Sequence, residues 1–131
     1  MPIFSVMNFL IVDDDSELRM TLRDMLEGLG AKRVWAVADG AKALERMRAL
    51  DFGRNDVVLA DWNMQPMTGL QFLQEVRADA KLKHIPFIMV TAESKTENVI
   101  AAKQAGVNNY IVKPFNAAVL KGKIATVLGD F

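Results

Sequence analysis

Val57-Val58-Leu59-Ala60-Asp61-Trp62-Asn63 is the stretch whose reading decides the fold. Four consecutive apolar residues end abruptly on a carboxylate. An apolar run of this kind, bounded by polar residues, has the pattern of a strand covered on both faces, and such strands belong to parallel sheets flanked by helices. Asp61 then stands just beyond a strand's carboxyl end, where ligands bind in sheets of this type. Its position alone leaves it equally able to begin a turn or cap a helix. The rest of the chain decides, because it sets an acidic cluster, a threonine and a lysine at the same kind of strand end.

Working outward, Phe9-Leu10-Ile11-Val12 is a second buried-strand run and stops at Asp13-Asp14-Asp15. Leu18, Leu22, Met25, Leu26 and Leu29 then recur at helical spacing until Gly28 and Gly30. Val34 to Val37 reads as a strand, and Ala41, Leu44, Met47 and Leu50 as a helix reached through Asp39-Gly40. After the central strand, Leu70, Leu73 and Val76 mark a helix over Gly69 to Ala78. Pro86 to Val90 is a fourth strand ending at Thr91, and a helix runs from about Thr96 to Ala105. Tyr110-Ile111-Val112 is a fifth strand ending at Lys113-Pro114, and Leu120, Ile124, Val127 and Leu128 mark a last helix. Five strand-then-helix repeats imply a parallel sheet between two helical layers, an α/β architecture of the (βα)5 kind. The repeats occupy the 131 residues, so a single domain with no output domain is expected.

Composition narrows the function classes. Sixteen basic residues balance sixteen acidic ones, which argues against non-specific binding to nucleic acid or to an anionic membrane. Cysteine is absent, which excludes a disulfide framework, a thiolate nucleophile and a cysteine-based zinc site. The opening residues lack the basic segment and unbroken apolar run of a signal peptide, and no later run approaches membrane length, so a cytoplasmic protein is expected.

A parallel sheet lines up its carboxyl ends on one edge, which brings Asp13, Asp14, Asp61, Thr91 and Lys113 together. Clustered carboxylates repel and require a cation to offset them. Oxygen-only ligands favour a hard ion such as Mg²⁺, and Lys113 supplies a second positive charge. A carboxylate held beside two cations and a hydroxyl donor is equipped to attack a phosphoryl group and form an acyl phosphate. Blander readings stand beside these: Asp14 with Glu17 fits a capping box, Asp15 or Ser16 also fits a helix cap, and Lys113-Pro114 fits a plain turn. His84 reads as a surface loop residue, and Met25, Met47, Met64, Met67 and Met89 as packing.

Five separated motifs carry a family resemblance: Val12-Asp13-Asp14, Asp61-Trp62-Asn63-Met64, Val90-Thr91-Ala92-Glu93, Ala105-Gly106 and Tyr110-Ile111-Val112-Lys113-Pro114-Phe115. Together they resemble response-regulator receiver domains, and within that family the chemotaxis regulators of the CheY type. The resemblance implies a flavodoxin-like three-layer sandwich with sheet order 2-1-3-4-5, an order for which CheY is itself the standard example. It further implies that Asp61 is the phosphoacceptor, that Asp14, Asp61 and the Asn63 backbone carbonyl bind Mg²⁺, and that Asp13 acts through a metal-bound water. Thr91 and Lys113 would each meet a phosphoryl oxygen, Tyr110 would turn inward as Thr91 moves, and the Lys113–Pro114 bond would be cis. Asn63 and Glu93 match positions that tune phosphoryl lifetime, which implies a short-lived signal.

The implied donor is a histidine kinase and the implied reader a separate effector, such as a component of the flagellar switch, with a phosphatase as a further partner. Val99, Tyr110, Val112 and Lys123 match the family's output face, whereas Ser94 and Thr96 do not match. From Lys95 onward there are five lysines and two acidic residues, so that face is mildly basic and suits an acidic or amphipathic peptide. A monomer is expected. The alternative class is a phosphorelay intermediate or phosphate sink that exchanges phosphoryl groups with a histidine-phosphotransfer protein. Two departures bear on the site: Gln65 stands where the family usually has proline, with Pro66 following, and Thr68 replaces an acidic residue before Gly69.

Overall fold

The computed structural model describes residues 3–49, 56–92 and 95–128. Leu50, Glu93 and Ser94, singled out above, lie outside the described residues. Five parallel strands form one sheet: β1 (Asn8–Val12), β2 (Arg33–Val37), β3 (Asp56–Ala60), β4 (Phe87–Thr91) and β5 (Asn109–Val112), in the order β2-β1-β3-β4-β5. They alternate with α1 (Ser16–Gly28), α2 (Gly40–Ala49), α3 (Gly69–Ala78), α4 (Thr96–Gln104) and α5 (Ala117–Leu128), after a short 3-10 turn at Ile3–Val6. The five-repeat reading therefore holds.

Burial explains why these strands carry continuous apolar runs. Every residue of β3 and β4 is buried, because helices cover both faces of the inner strands. β2 is an edge strand and is only partly buried. Alternate residues serve the two faces. Leu10, Val58 and Met89 join Leu44, Phe72 and Val76 on the α2–α3 side. Ile11, Leu59 and Val90 join Leu22, Leu26, Leu120 and Ile124 on the α1–α5 side. Met47, Met64 and Met89 are buried, and Met25 and Met67 pack at the edges of the two cores, as their packing role requires.

Helix boundaries follow local chemistry. After α1 the chain turns at Gly30, and after α4 at Gly106, with φ of 95° and 98°, the left-handed conformation that glycine adopts without a Cβ clash. Asp15, and not Asp14, caps α1: its side chain accepts hydrogen bonds from the N–H groups of Glu17 and Leu18. The capping box stands instead at α3. Gln71 N–H donates to Thr68 Oγ1 at 3.1 Å, and Thr68 N–H donates to Gln71 Oε1 at 2.9 Å. Thr68, which stands where the resemblance to the CheY type led to an acidic residue, is thus a helix cap here. Among the described residues no helix is long and apolar enough to cross a membrane.

Candidate functional site

The sheet's register sets the site. Val12 lies opposite Ala60 and Thr91 opposite Val112, so the residues that follow leave the sheet along one edge. The backbone extends the ladder one residue beyond each strand. Asp13 N–H donates to the Val37 carbonyl, Asp61 N–H to Val12 and Lys113 N–H to Thr91. These bonds hold the backbone of Asp13, Asp61 and Lys113 before any side-chain contact is made. Lys113–Pro114 is cis, as the resemblance implied, and Gln65–Pro66 is cis as well.

Asp13, Asp14 and Asp61 each offer a carboxylate oxygen within 4.8 Å of the others. Lys113 Nζ reaches into this cluster, 3.4 Å from Asp13 Oδ2 and 3.5 Å from Asp61 Oδ2. Asp13 and Asp61 are buried, whereas Asp14 is exposed at the mouth. Asp13 is the more committed of the buried pair. Its Oδ1 accepts the Asp15 N–H at 2.9 Å, its Oδ2 faces Lys113, and Arg19 Nη1 donates to its backbone carbonyl at 2.7 Å. Burial pushes the Asp13 carboxyl above its ordinary pKa, and the Asp61 charge adds to this, against the Asp15 N–H and Lys113, which favour the ionised form.

Asp61 differs in one respect: its Oδ1 is buried and accepts no hydrogen bond among the described residues. A buried oxygen without a donor costs free energy unless a ligand meets it. Three carboxylates facing one ammonium leave a net negative pocket with oxygen donors only, which suits a hard divalent cation such as Mg²⁺. Asp14 and Asp61 are the groups free to hold it, and the backbone of the exposed Asn63 follows two residues beyond Asp61.

Thr91 is fully buried as the last residue of β4, and its carbonyl accepts the Lys113 N–H. Tyr110 is half-buried on β5 against the α2–α3 core. Val112 and Lys123 are exposed on β5 and α5, which pack together, with the Asn109 amide donating to the Lys123 carbonyl; Val99 is half-buried on α4. His84 is exposed in the loop before β4.

Three contributors were invisible in the periodicity. Arg19 reads only as a polar residue on the first helix, yet it anchors the Asp13 carbonyl. Gly69 begins α3 so close to the site that a Cβ there would collide with the Asp61 carbonyl oxygen and stand 2.8 Å from Trp62 Cα. The Gly69 N–H donates to the Trp62 carbonyl at 2.8 Å, which fixes the loop after Asp61. Arg77 lies at the far end of α3 and binds carbonyls that no sequence pattern links to it.

Residues 9–125 match the family model of the response regulator receiver domain. The chemotaxis protein CheY-3 of Vibrio cholerae is 48% identical over 118 residues, covering 90% of this chain and 88% of that protein. Among solved structures, the chemotaxis protein CheY4 of Vibrio cholerae superposes with a TM-score of 0.84 at 33% identity, covering 93% of this chain and 98% of its own. The receiver domain of a sensor histidine kinase from Pseudomonas aeruginosa superposes with a TM-score of 0.80 at 31% identity, covering 95% and 98%; that structure holds a magnesium ion coordinated in its active site cleft.

Proposed function

The chain belongs to the response-regulator receiver domain family, and from that premise we propose that Asp61 accepts a phosphoryl group from the phosphohistidine of a kinase. The phosphorylated chain then binds a partner protein, in chemotaxis signalling of the CheY type. One observation carries this reading: Lys113 Nζ sits between Asp13 and Asp61, beside an Asp61 oxygen that meets no hydrogen-bond donor among the described residues. A purely structural ion pair would satisfy its buried oxygens. Here one is held ready.

In the reaction an Asp61 oxygen attacks phosphorus, the new O–P bond replaces the N–P bond to the donor imidazole, and the imidazole keeps the electron pair and takes up a proton. Asp14, Asp61 and the Asn63 backbone carbonyl would hold Mg²⁺, with Asp13 acting through a bound water, and the ion when bound supplies charge neutralisation at the phosphoryl oxygens. Lys113 leaves its two carboxylates to pair with one phosphoryl oxygen, and the Thr91 hydroxyl donates to another. Water attacking phosphorus later breaks the Asp61 O–P bond, which restores the carboxylate and releases inorganic phosphate.

Phosphorylation adds charge and acceptor oxygens that Thr91 and Lys113 can follow. A swing from about 1:99 to 99:1 between two conformations requires roughly 5.5 kcal/mol of differential interaction. Several charge-assisted hydrogen bonds in a largely buried pocket are of that order. The change would be read through Tyr110, Val99, Val112 and Lys123 by an effector such as a flagellar switch component. In this reading residues 1–131 act as one receiver domain in the cytoplasm.

Incubation with acetyl phosphate and Mg²⁺, followed by intact mass, tests the shared chemistry. The parent should gain one phosphoryl group and Asp61→Asn should not. An unmodified parent, or an equally modified Asp61→Asn, would falsify the assignment.

A further inference from the structure

The site divides between two halves of the sheet. β1 and β3 carry Asp13, Asp14 and Asp61, while β4 and β5 carry Thr91 and Lys113. The pairing within the halves and between them is unequal. β1 pairs with β3 over five residues, Asn8↔Asp56 to Val12↔Ala60, whereas β3 pairs with β4 over three, Val58↔Phe87 to Ala60↔Met89.

A second connection between the halves runs along α3. Its first residue, Gly69, abuts the Asp61 backbone and donates to the Trp62 carbonyl. Ten residues of helix then span about 15 Å to its last turn, where Arg77 points into the loops that lead into β4 and β5. Arg77 Nη1 donates to the Lys83 carbonyl at 3.1 Å and the Ile85 carbonyl at 2.7 Å, just before β4. Its Nε donates to the Gly106 carbonyl at 3.0 Å and its Nη2 to Asn108 Oδ1 at 2.8 Å, just before β5. Asn108 Oδ1 also accepts the Phe87 N–H, and Asn108 N–H donates to the Phe87 carbonyl, so the same point locks the two strands together. Four acceptors from two loops meet one planar guanidinium, which only arginine's fork can satisfy.

We infer that α3 is a strut between the halves of the site, and that Arg77 is a positioning residue that sets where Thr91 and Lys113 stand relative to Asp61. This rests on the phosphoacceptor reading. Its consequence is a split between two ligands. Mg²⁺ meets groups carried by β1 and β3 and the loop after β3. A phosphoryl mimic must also meet the groups carried by β4 and β5.

Arg77→Lys keeps the charge but offers a single nitrogen to four acceptors. Calorimetry on the full chain with MgCl₂ alone, then with beryllofluoride at saturating Mg²⁺, should show Mg²⁺ affinity within about twofold of the parent, since Lys113 bears on the ion only through the charge of Asp13 and Asp61. Beryllofluoride binding should be roughly tenfold weaker, well inside what a misplacement of about 1 Å costs. Arg48→Ala, which cuts the exposed Arg48–Asp79 ion pair on the same end of the molecule, should change neither. Equal weakening of both ligands in Arg77→Lys, or of neither, overturns the strut. Should Arg77→Lys not fold, Asn108→Ala removes one of the four acceptors together with the Phe87 N–H bond that the same oxygen holds, and should show the same split. A parent that binds no beryllofluoride refutes the phosphoacceptor reading instead. The strut is then judged by amide chemical shifts, since in the variant those of Thr91 and Lys113 should move and those of Asp13 and Asp61 should not. Uniform shifts across all four overturn it.

Discussion

Asp13→Asn should make the metal-free protein more stable at neutral pH, although it deletes one side of a buried ion pair. Asp13 is 1% exposed and lies 3.4 Å from Lys113 Nζ, with Asp14 and Asp61 oxygens within 4.8 Å. At an effective dielectric of about 20, the attraction to Lys113 is roughly 5 kcal/mol and the repulsion from Asp61 at least roughly 3.5 kcal/mol. Asp14 adds a further repulsion, reduced by its exposure. Attraction and repulsion therefore nearly cancel, and the burial of a charged carboxylate decides the sign. Asparagine avoids that cost. It keeps an oxygen for the Asp15 N–H and leaves Lys113 one full partner, Asp61.

Relief of this kind at a functional site is worth about 0.5–2 kcal/mol. For a chain of this size that raises the melting temperature by roughly 2–8 °C. The pH dependence gives the mechanism. Because burial raises the folded pKa of Asp13 above the ordinary 3.8, the native state holds this proton more tightly than the unfolded chain. The wild-type deficit is thus absent below 3.8, grows as pH rises through the window up to the raised folded pKa, and is constant above it. Guanidinium unfolding of both proteins in chelator, from about pH 4 to about pH 8, reads the difference directly. A variant no more stable than the parent at neutral pH, or an advantage that shrinks as pH rises, refutes the reasoning.

Added Mg²⁺ should reverse the ranking, because it supplies the second cation: at a hundred times its dissociation constant it stabilises the parent by about 2.7 kcal/mol. Asp14→Asn should lose most of this gain in a thermal melt, and a full gain in that variant would remove Asp14 from the ligand set. Gly69→Ala should cost on the order of 1–3 kcal/mol and slow phosphorylation, since the atoms nearest its Cβ are Asp61 and Trp62 backbone, which cannot rotate away. Gly122→Ala, inside α5 with nothing within 4 Å, should stabilise by about 0.5–1 kcal/mol. Equal effects of the two glycine changes in denaturant unfolding would show that the close approach at Gly69 is not what matters. Asp15→Ala should cost about 1 kcal/mol of stability through its lost cap, while Asp14→Ala should cost none in metal-free buffer. Loss of stability in both would mean that the cap is shared.

How much of this was readable from residue order depends on how local the controlling interaction is. The strands of the sheet interior were legible because two-sided burial forces an unbroken apolar run, as in Phe9 to Val12 and Val57 to Ala60. The row of Asp13, Asp61, Thr91 and Lys113 followed from the strand ends, and the shared register of β1 with β3 and of β4 with β5 delivers it. Asp15 as the cap was legible only as one of several options. The choice falls to whichever oxygen reaches the N–H groups of Glu17 and Leu18, and that leaves Asp14 at the mouth of the pocket. Arg19, Gly69 and Arg77 were not legible. Each acts on backbone carbonyls of residues 6, 7 and up to 29 positions away, and a carbonyl is present at every residue, so no side-chain pattern marks the partner. The division has a functional sense. The groups proposed to meet phosphorus and metal are, apart from the Asn63 carbonyl, carried by side chains and can be read, whereas those that hold them in place act on the backbone and appear only once the chain is folded.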